Sequence, residues 1–451
     1  MSINTTGSDN GVNCQRKNMQ QSRFFGYINT GRLRDTFIKM AEVDTGSCEA
    51  AKSGVGPSTS KQLEFAKLLA VDLEEIGLTD AEIDENGILT ATMKGNIGDD
   101  TPVVGLIAHM DTSEQAPTGP VNPQIHEYKS GDINLKNDVK INEDDLAPYK
   151  NQTIITSDGT SLLGADDKAG IAEILEALKV FGENPDLKRP TLKIAFTPDE
   201  EIGRGVENFN LKNFGADLAY TVDGSGADVI DTETFNAYNP VITIEGVQVH
   251  PGHAYGKMVN SILIANEILS RLPQDERPEN TKDREGYYHV DSISGDVSRV
   301  TMKMYVRDFD TKAEEERVGK LAKIAEDIEK EYHGCKIIFN PNKQYCNMKE
   351  GLNELPEVVE FAKKGLEMSG FKPAEAAARG GTDGSFLTLR GLPTPNLGTG
   401  GVNYHSVREF VSLDTMKKCT ENIINIVSLW AENSKDVMPK IIARRNSNKF
   451  S

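Results

Sequence analysis

The chain has 451 residues, 37% of them hydrophobic, and its 69 acidic against 50 basic side chains give a formal charge of −19. That length predicts two or three packed units, and the acidic surplus argues against nucleic acid or an anionic membrane as a partner, because both repel it. No uncharged apolar stretch is long enough to cross a bilayer, the N-terminal region lacks the apolar core of a secretory signal, and five scattered cysteines point to reduced thiols in a cytoplasmic protein.

Residues 1–30 are polar and aperiodic, which reads as a flexible extension, with folding expected to begin near Thr36. From Gln62 the spacing of Leu63, Phe65, Leu68, Leu69, Leu73 and Ile76 predicts a helix, and Gly77 stands where it should end. Residues 88–93 alternate as a strand, whereas 103–108 are nearly all apolar, the pattern of a strand covered on both faces. A helix over 168–181 presents Ile171, Ile174, Leu175, Leu178 and Phe181 on one face, and strands follow at 191–197 and 218–222. Strands alternating with helices predict an α/β domain around a mixed, mostly parallel sheet. Past Asp223 come a strand at 241–245, a helix at 257–272, strands at 287–293 and 300–306, a helix at 312–331 and a strand at 336–339. That is the β-α-β-β-α-β order of a ferredoxin-like α+β domain. Thr311, with Glu314 three residues on, reads as a capping box at the start of helix 312–331. Helices at 355–369 and 413–433 close the chain, so the expected plan is an extension at 1–30, an α/β domain of 31–235 and 348–451, and an inserted domain at 236–347.

His109-Met110-Asp111 directly follows the apolar strand, at the carboxyl end where open α/β sheets bind their ligands. On an extended segment residues i and i+2 face the same way, so the carboxylate can fix the imidazole tautomer and leave the other nitrogen for a metal. Alone, the triplet is weak evidence, and a hydrogen-bonded strand-end histidine is the commoner reading. Asp166-Asp167 stands between glycines at a helix start, where capping needs one carboxylate and the second can turn toward an ion. Asp199-Glu200-Glu201 ends a third segment and Asp223 a fourth, and charge of one sign at neighbouring strand ends calls for a cation. Gly398–His405 is a glycine-rich loop delivering one of only seven histidines. Two His with several carboxylates and no Cys suit zinc first, then manganese or cobalt, and a pair of ions sharing one carboxylate would use the set fully.

Taken in order, His109–Ser113, Gly164–Gly170, Thr197–Gly203, Val222–Gly224 and Gly400–His405 resemble the tripeptide-aminopeptidase branch of the dinuclear-zinc peptidase family. Val121–Ile125, Val249–Gly252, Val306–Asp310 and Arg379–Gly384 match the same branch, and the likeness runs from about residue 30 to 435. The resemblance implies two Zn2+ per subunit, with Mn2+ or Co2+ as substitutes. His109, Asp166 and Asp223 would hold one ion, and Asp166, Glu201 and His405 the other. Glu200 would be the general base that takes a proton from the metal-bridging water and gives it to the leaving amine, with Asp111 behind His109. The implied fold pairs a catalytic domain with an inserted lid and dimerisation domain. The implied assembly is a homodimer in which His250 reaches the partner's site and stabilises the oxyanion. Arg379 and Arg307 are candidates to bind the carboxylate of a short peptide. Members of the family also place a cis peptide after the bridging aspartate, here Asp166–Asp167, leaving Asp167 to receive backbone N–H bonds.

The chain departs from that pattern at Lys349, where the branch has arginine in Asn347-Met348-Lys349-Glu350, at His253, and at Ser406-Val407-Arg408. None is a proposed ligand, so these departures bear on substrate preference rather than on metal chemistry. A dipeptidase, carboxypeptidase or N-acyl amino acid deacylase with the same two-metal site is the alternative among enzymes. A peptide-binding protein that had lost catalysis would lack Glu200 or a ligand, and neither is missing.

Overall fold

Six of the seven residues in strand Val103–His109 are buried, and this strand lies at the centre of the main sheet. Thr191–Thr197 and Leu218–Gly224 flank it, both parallel to it, and Asn396–Gly398 continues the parallel set beyond Leu218–Gly224. In order the sheet reads Glu82–Ile83, Leu89–Met93, Thr191–Thr197, Val103–His109, Leu218–Gly224, Asn396–Gly398, Val229–Thr234, Ala374–Ala378. Leu89–Met93 runs antiparallel to Thr191–Thr197, so the sheet is mixed. The structure is a computed structural model, and the residues it describes are 23–52, 56–224 and 226–447. Most of the expected extension, residues 1–22, lies outside them.

The chain divides into two compact units. The first comprises the residues up to Ile230 together with Leu355–Glu375 and Leu392–Ser451, and the second comprises Asp231–Glu354 with Ala376–Gly391. The division falls a few residues from the expected 235/236 and 347/348, but residues 376–391, expected in the α/β part, group with the second unit. In the first unit helices Ala165–Glu183 and Leu413–Glu432 pack together, and both are buried along most of their length. The single tryptophan, Trp430, is fully buried and donates its indole N–H to Tyr220 Oη at 2.9 Å, while Tyr220 donates to the Val358 carbonyl at 2.8 Å. Burying these polar groups is tolerable because each finds a partner. A second, small sheet runs Gly401–Val402, Phe410–Ser412, Thr153–Thr156, Gln124–Glu127.

In the second unit four strands of a six-stranded sheet order as Lys336–Asn340, Val241–Glu245, Arg299–Asp308, Tyr287–Gly295, all neighbours antiparallel, and Asn236–Tyr238 and Lys343–Tyr345 extend the sheet from Arg299–Asp308. This is the 4-1-3-2 arrangement of the ferredoxin-like fold expected from the element order. Its core combines Ile242, Ile244, Met302, Met304 and Val306 from the strands with Ile264, Ile268, Leu321 and Ile328 from the helices.

Three expectations at helix ends change. Folded structure begins earlier than Thr36: helix Thr30–Ala41 is capped by Asn29, whose side chain accepts from Arg32 N–H at 3.0 Å, and Phe24 and Ile28 are buried. The predicted helix 257–272 is Ser261–Arg271, because Asn260 accepts from Ile262 N–H at 2.9 Å and starts it there. The Thr311/Glu314 capping box is absent. Asp310 caps helix Thr311–Glu331 by accepting from Ala313 N–H at 2.8 Å, and Glu314 is fully buried instead of reaching back to the cap.

Candidate metal centre

The parallel register brings the strand ends together. His109 is level with Thr197, and Ile107 is level with Thr221, which sets Asp223 level with His109. Thr197 leads through Pro198 and Asp199 into the 3-10 turn Glu200–Ile202, and Gly398 leads into the loop that delivers His405. Gly164, in the left-handed region at φ +78°, turns the chain into Asp166, and the Asp166–Asp167 peptide is cis, as the family resemblance implies.

Asp166 lies between the two histidines. Its Oδ1 is 2.9 Å from His109 Nε2 and its Oδ2 is 3.1 Å from His405 Nε2. His109 Nε2 is also 3.5 Å from Asp223 Oδ1, and His405 Nε2 is 2.9 Å from Glu201 Oε2. Two ligand groups result, His109-Asp166-Asp223 and Asp166-Glu201-His405, each with its ligating atoms within 4.8 Å of one another. They are the two triads expected from the sequence.

Electrostatics fits a dication in each. In the metal-free chain burial raises the Asp223 pKa to about 7, and hydrogen bonds from His405 to Asp166 and then to Glu201 push the His405 imidazole up to about 10. Protons thus compensate charge that cations would otherwise neutralise. Glu201 Oε1 is buried with no hydrogen-bond partner, and an orphaned acidic oxygen of this kind is explained when an ion takes its lone pair. The donor set, imidazole nitrogens and carboxylate oxygens, is one that zinc, manganese and cobalt accept.

The surrounding bonds aim these groups. The His109 ring has Nδ1 3.0 Å from the Asp111 carbonyl oxygen and 3.4 Å from Asp111 Oδ1, so a proton on Nδ1 leaves Nε2 free for a metal. The Asp111 carboxylate also holds the neighbouring turn, its Oδ1 accepting from Glu200 N–H at 3.0 Å and its Oδ2 from Glu201 N–H at 3.2 Å. Asp167 Oδ2 accepts from His109 N–H at 3.1 Å. Three further residues hold the site: Asp199, which the motif reading named without a role, and Gln115 and Glu409, which it missed. Asp199, at φ +59°, accepts from Ser58 N–H at 2.6 Å and from Gln62 Nε2 at 2.7 Å, which pins the turn carrying Glu200 and Glu201. Gln115 Oε1 is 3.2 Å from His405 Nδ1. Glu409 accepts from three backbone N–H groups leading to Asp166.

A model of Peptidase family M20/M25/M40 matches residues 139–428. The chain belongs to this family. Among M20 relatives, Peptidase T of Clostridium perfringens is 43% identical over 405 residues, covering 89% of this chain and 99% of that protein. Peptidase T of Clostridium botulinum is also 43% identical, over 403 residues, or 88% and 98% of the two chains. The solved aminopeptidase PepT of Bacillus cereus superposes with a TM-score of 0.71 at 24% identity, over 90% of this chain and 100% of its own. The Bacillus subtilis YXEP protein, described as a dinuclear metal binding M20 peptidase, gives 0.61 at 15% identity over 90% and 99%. The chain is therefore an M20 peptidase, with the family's α/β fold, and it carries two ligand groups suited to divalent metal.

The other sequence candidates lie in the second unit. His250 is exposed and its Nδ1 accepts from Gly252 N–H at 3.1 Å. Arg307 spends donors on the carbonyls of Tyr238 (2.7 Å) and Val306 (3.0 Å) and on Asn239 Oδ1 (2.9 Å). Arg379 donates to the Asp283 carbonyl at 2.9 Å and to Thr281 Oγ1 at 3.1 Å, and packs over the rings of Phe235 and Tyr287. A substrate carboxylate would have to use the donors that remain or displace these bonds. Lys349 is 3.3 Å from Glu233, but Arg284 grips the same carboxylate with two bonds of 2.6 and 2.7 Å. The two-pronged contact that a lysine cannot make is thus made by another residue.

Proposed function

We propose that the chain is a zinc-dependent aminopeptidase that removes the N-terminal residue of short peptides, tripeptides foremost. The observation that carries the reading is the Asp166 carboxylate, which presents one oxygen to each of two histidine-containing triads beside Glu200. Full-length similarity to Peptidase T at 43% identity supports the substrate class, and so does the name of a similar solved structure, a Staphylococcus aureus tripeptidase.

His109, Asp166 and Asp223 would hold one ion and Asp166, Glu201 and His405 the second. The pair would polarise the scissile carbonyl and lower the pKa of the attacking water. Glu200 accepts the proton that the water gives up and returns it to the departing amine, so each turnover leaves the carboxylate as it began. Asp111 keeps that base in place through the N–H groups of Glu200 and Glu201 and keeps His109 facing its ligand position. His250, supplied by the partner of a homodimer, stabilises the oxyanion, and Arg379 and Arg307 are the side chains we assign to the peptide carboxylate. A cytoplasmic location belongs to the same reading, supported by four free cysteines among the described residues.

Hydrolysis should be compared across free di-, tri- and tetrapeptides, N-blocked tripeptides and N-acyl amino acids, before and after chelation. Tripeptides with a free amino end should be cleaved fastest, with activity lost on chelation and restored by Zn2+. Undiminished activity in a preparation shown metal-free by elemental analysis would overturn the metal reading. Preference for N-acyl amino acids would replace the aminopeptidase by a deacylase.

A further inference from the structure

Glu409 is buried, with 1% of its surface exposed. A carboxylate so enclosed is costly unless its oxygens are satisfied. Here backbone satisfies them: Oε2 accepts from Leu163 N–H and Gly164 N–H, both at 2.8 Å, and Oε1 accepts from Asp166 N–H at 3.0 Å. These three amides form the turn that delivers Asp166, the residue common to both triads. Glu409 itself lies four residues after His405, in the segment that supplies the other histidine. One ligand loop therefore clamps the other at its backbone. An ordinary helix cap would need a single such bond. Three bonds, one of them to the ligand's own amide, fix where the Asp166 side chain leaves the chain.

We propose that Glu409 is a positioning residue of the paired-metal site, setting the aim of the Asp166 carboxylate and thereby the affinity for both ions. The proposal rests on the two-metal reading above. Partners that orient a ligand from behind contribute about 10–100-fold to metal affinity. Because Asp166 is shared, the loss must fall on both ions, whereas loss of a ligand outside the bridge, such as Asp223, falls mainly on one.

Glu409→Gln tests this at nearly constant volume. Its carbonyl oxygen can keep the bonds from Leu163 and Gly164, but its NH2 then faces the Asp166 N–H, donor against donor. Zinc stoichiometry and affinity should be measured on wild type, Glu409→Gln, Glu409→Asp and Asp223→Asn, with the absorption spectrum of the cobalt(II) forms and the metal-free Tm. The expected result is a wild type that binds two ions and a Glu409→Gln chain in which both bind about 10–100-fold more weakly. Its cobalt spectrum should shift, while its metal-free Tm should fall by only a few degrees, the cost of one buried donor left unpaired. Glu409→Asp, which keeps the charge, should recover part of the affinity. If wild type binds two ions and Glu409→Gln binds them equally well with an unchanged spectrum, the positioning role is overturned and the two-metal reading stands. If wild type binds no metal, the two-metal reading fails first. If Glu409→Gln does not fold, Glu409→Asp carries the test, and failure of both to fold would overturn the proposal in favour of a purely structural role.

Discussion

Glu200 and Glu201 are adjacent in sequence, yet the structure separates their chemistry. The Glu201 carboxylate is in contact with His405 and belongs to a ligand triad, while Glu200 belongs to neither. Glu200→Gln should therefore lower kcat by about 10²–10⁴, the usual contribution of a positioned proton carrier, and leave metal content near wild type. Elemental analysis beside steady-state kinetics checks both halves. Loss of metal in this variant would exchange the roles of the two acids. The pattern of acids and histidines at strand ends made the two candidate triads legible from sequence, because metal-ligating side chains are chemically distinctive. Gln115 and Glu409 were not legible, since a hydrogen bond to an imidazole or to backbone amides can be made by many residue types. The one trace Glu409 leaves is a charged residue beside the apolar pair Phe410-Val411, shortly after a ligand histidine.

The short turn Glu200–Ile202 is held from outside by helix Ser60–Ile76 and the residue before its cap. Gln62 on that helix both accepts from Asp199 N–H at 3.0 Å and donates to its carboxylate, and Ser58 donates to the same group. Asp199→Ala should lower the stability of the metal-free chain by about 2–4 kcal/mol, since it removes charge-assisted bonds and keeps a left-handed backbone that alanine resists. Asp199→Gly should cost about 1 kcal/mol less, because glycine accepts that backbone. Both should reduce kcat. Urea denaturation curves for the pair decide the matter, and equal destabilisation would rule out the backbone contribution. At the start of helix Thr311–Glu331, Glu314 has both carboxylate oxygens buried without partners. Burial pushes its pKa up to about 8, against the opposing charges of Lys343 and Arg307 and with Asp308 and Glu315 adding to the rise. The folded state thus binds a proton that the unfolded chain, titrating near 4.5, releases, so stability is full below that value and falls as pH rises toward 8. The loss is at most about 5 kcal/mol. Glu314→Gln should flatten the fall in urea midpoint between pH 5 and 8, and parallel curves for variant and wild type would refute it.

Across the whole molecule, the central strands and long helices were readable because burial on two faces or one leaves unmistakable periodicity. The small sheet was not: Gly401–Val402, Phe410–Ser412 and Gln124–Glu127 have two to four residues each, too few for a period to register. Helix Ser434–Asn446 was hidden by its polar composition and by Pro439 inside it. His250 gives the proposed homodimer a direct test. His250→Ala and Glu200→Gln should each be severely impaired alone. Mixed subunits should recover activity, because one site of each heterodimer holds both residues intact. No recovery in demonstrated heterodimers would place His250 outside the partner's reaction.

The order of the ligands along the chain carries a temporal meaning. His109, Asp166, Glu201 and Asp223 all precede the second unit, and His405 and Glu409 come after it. A ribosome that has made everything up to residue 400 has produced the proposed general base and four of the five proposed ligands, but neither the last imidazole nor Glu409. On the two-metal reading, neither ion would then be held by its full set of residues. By the same reading, a chain stopped short of residue 405 lacks a ligand of the second triad, so such truncated products should be inert.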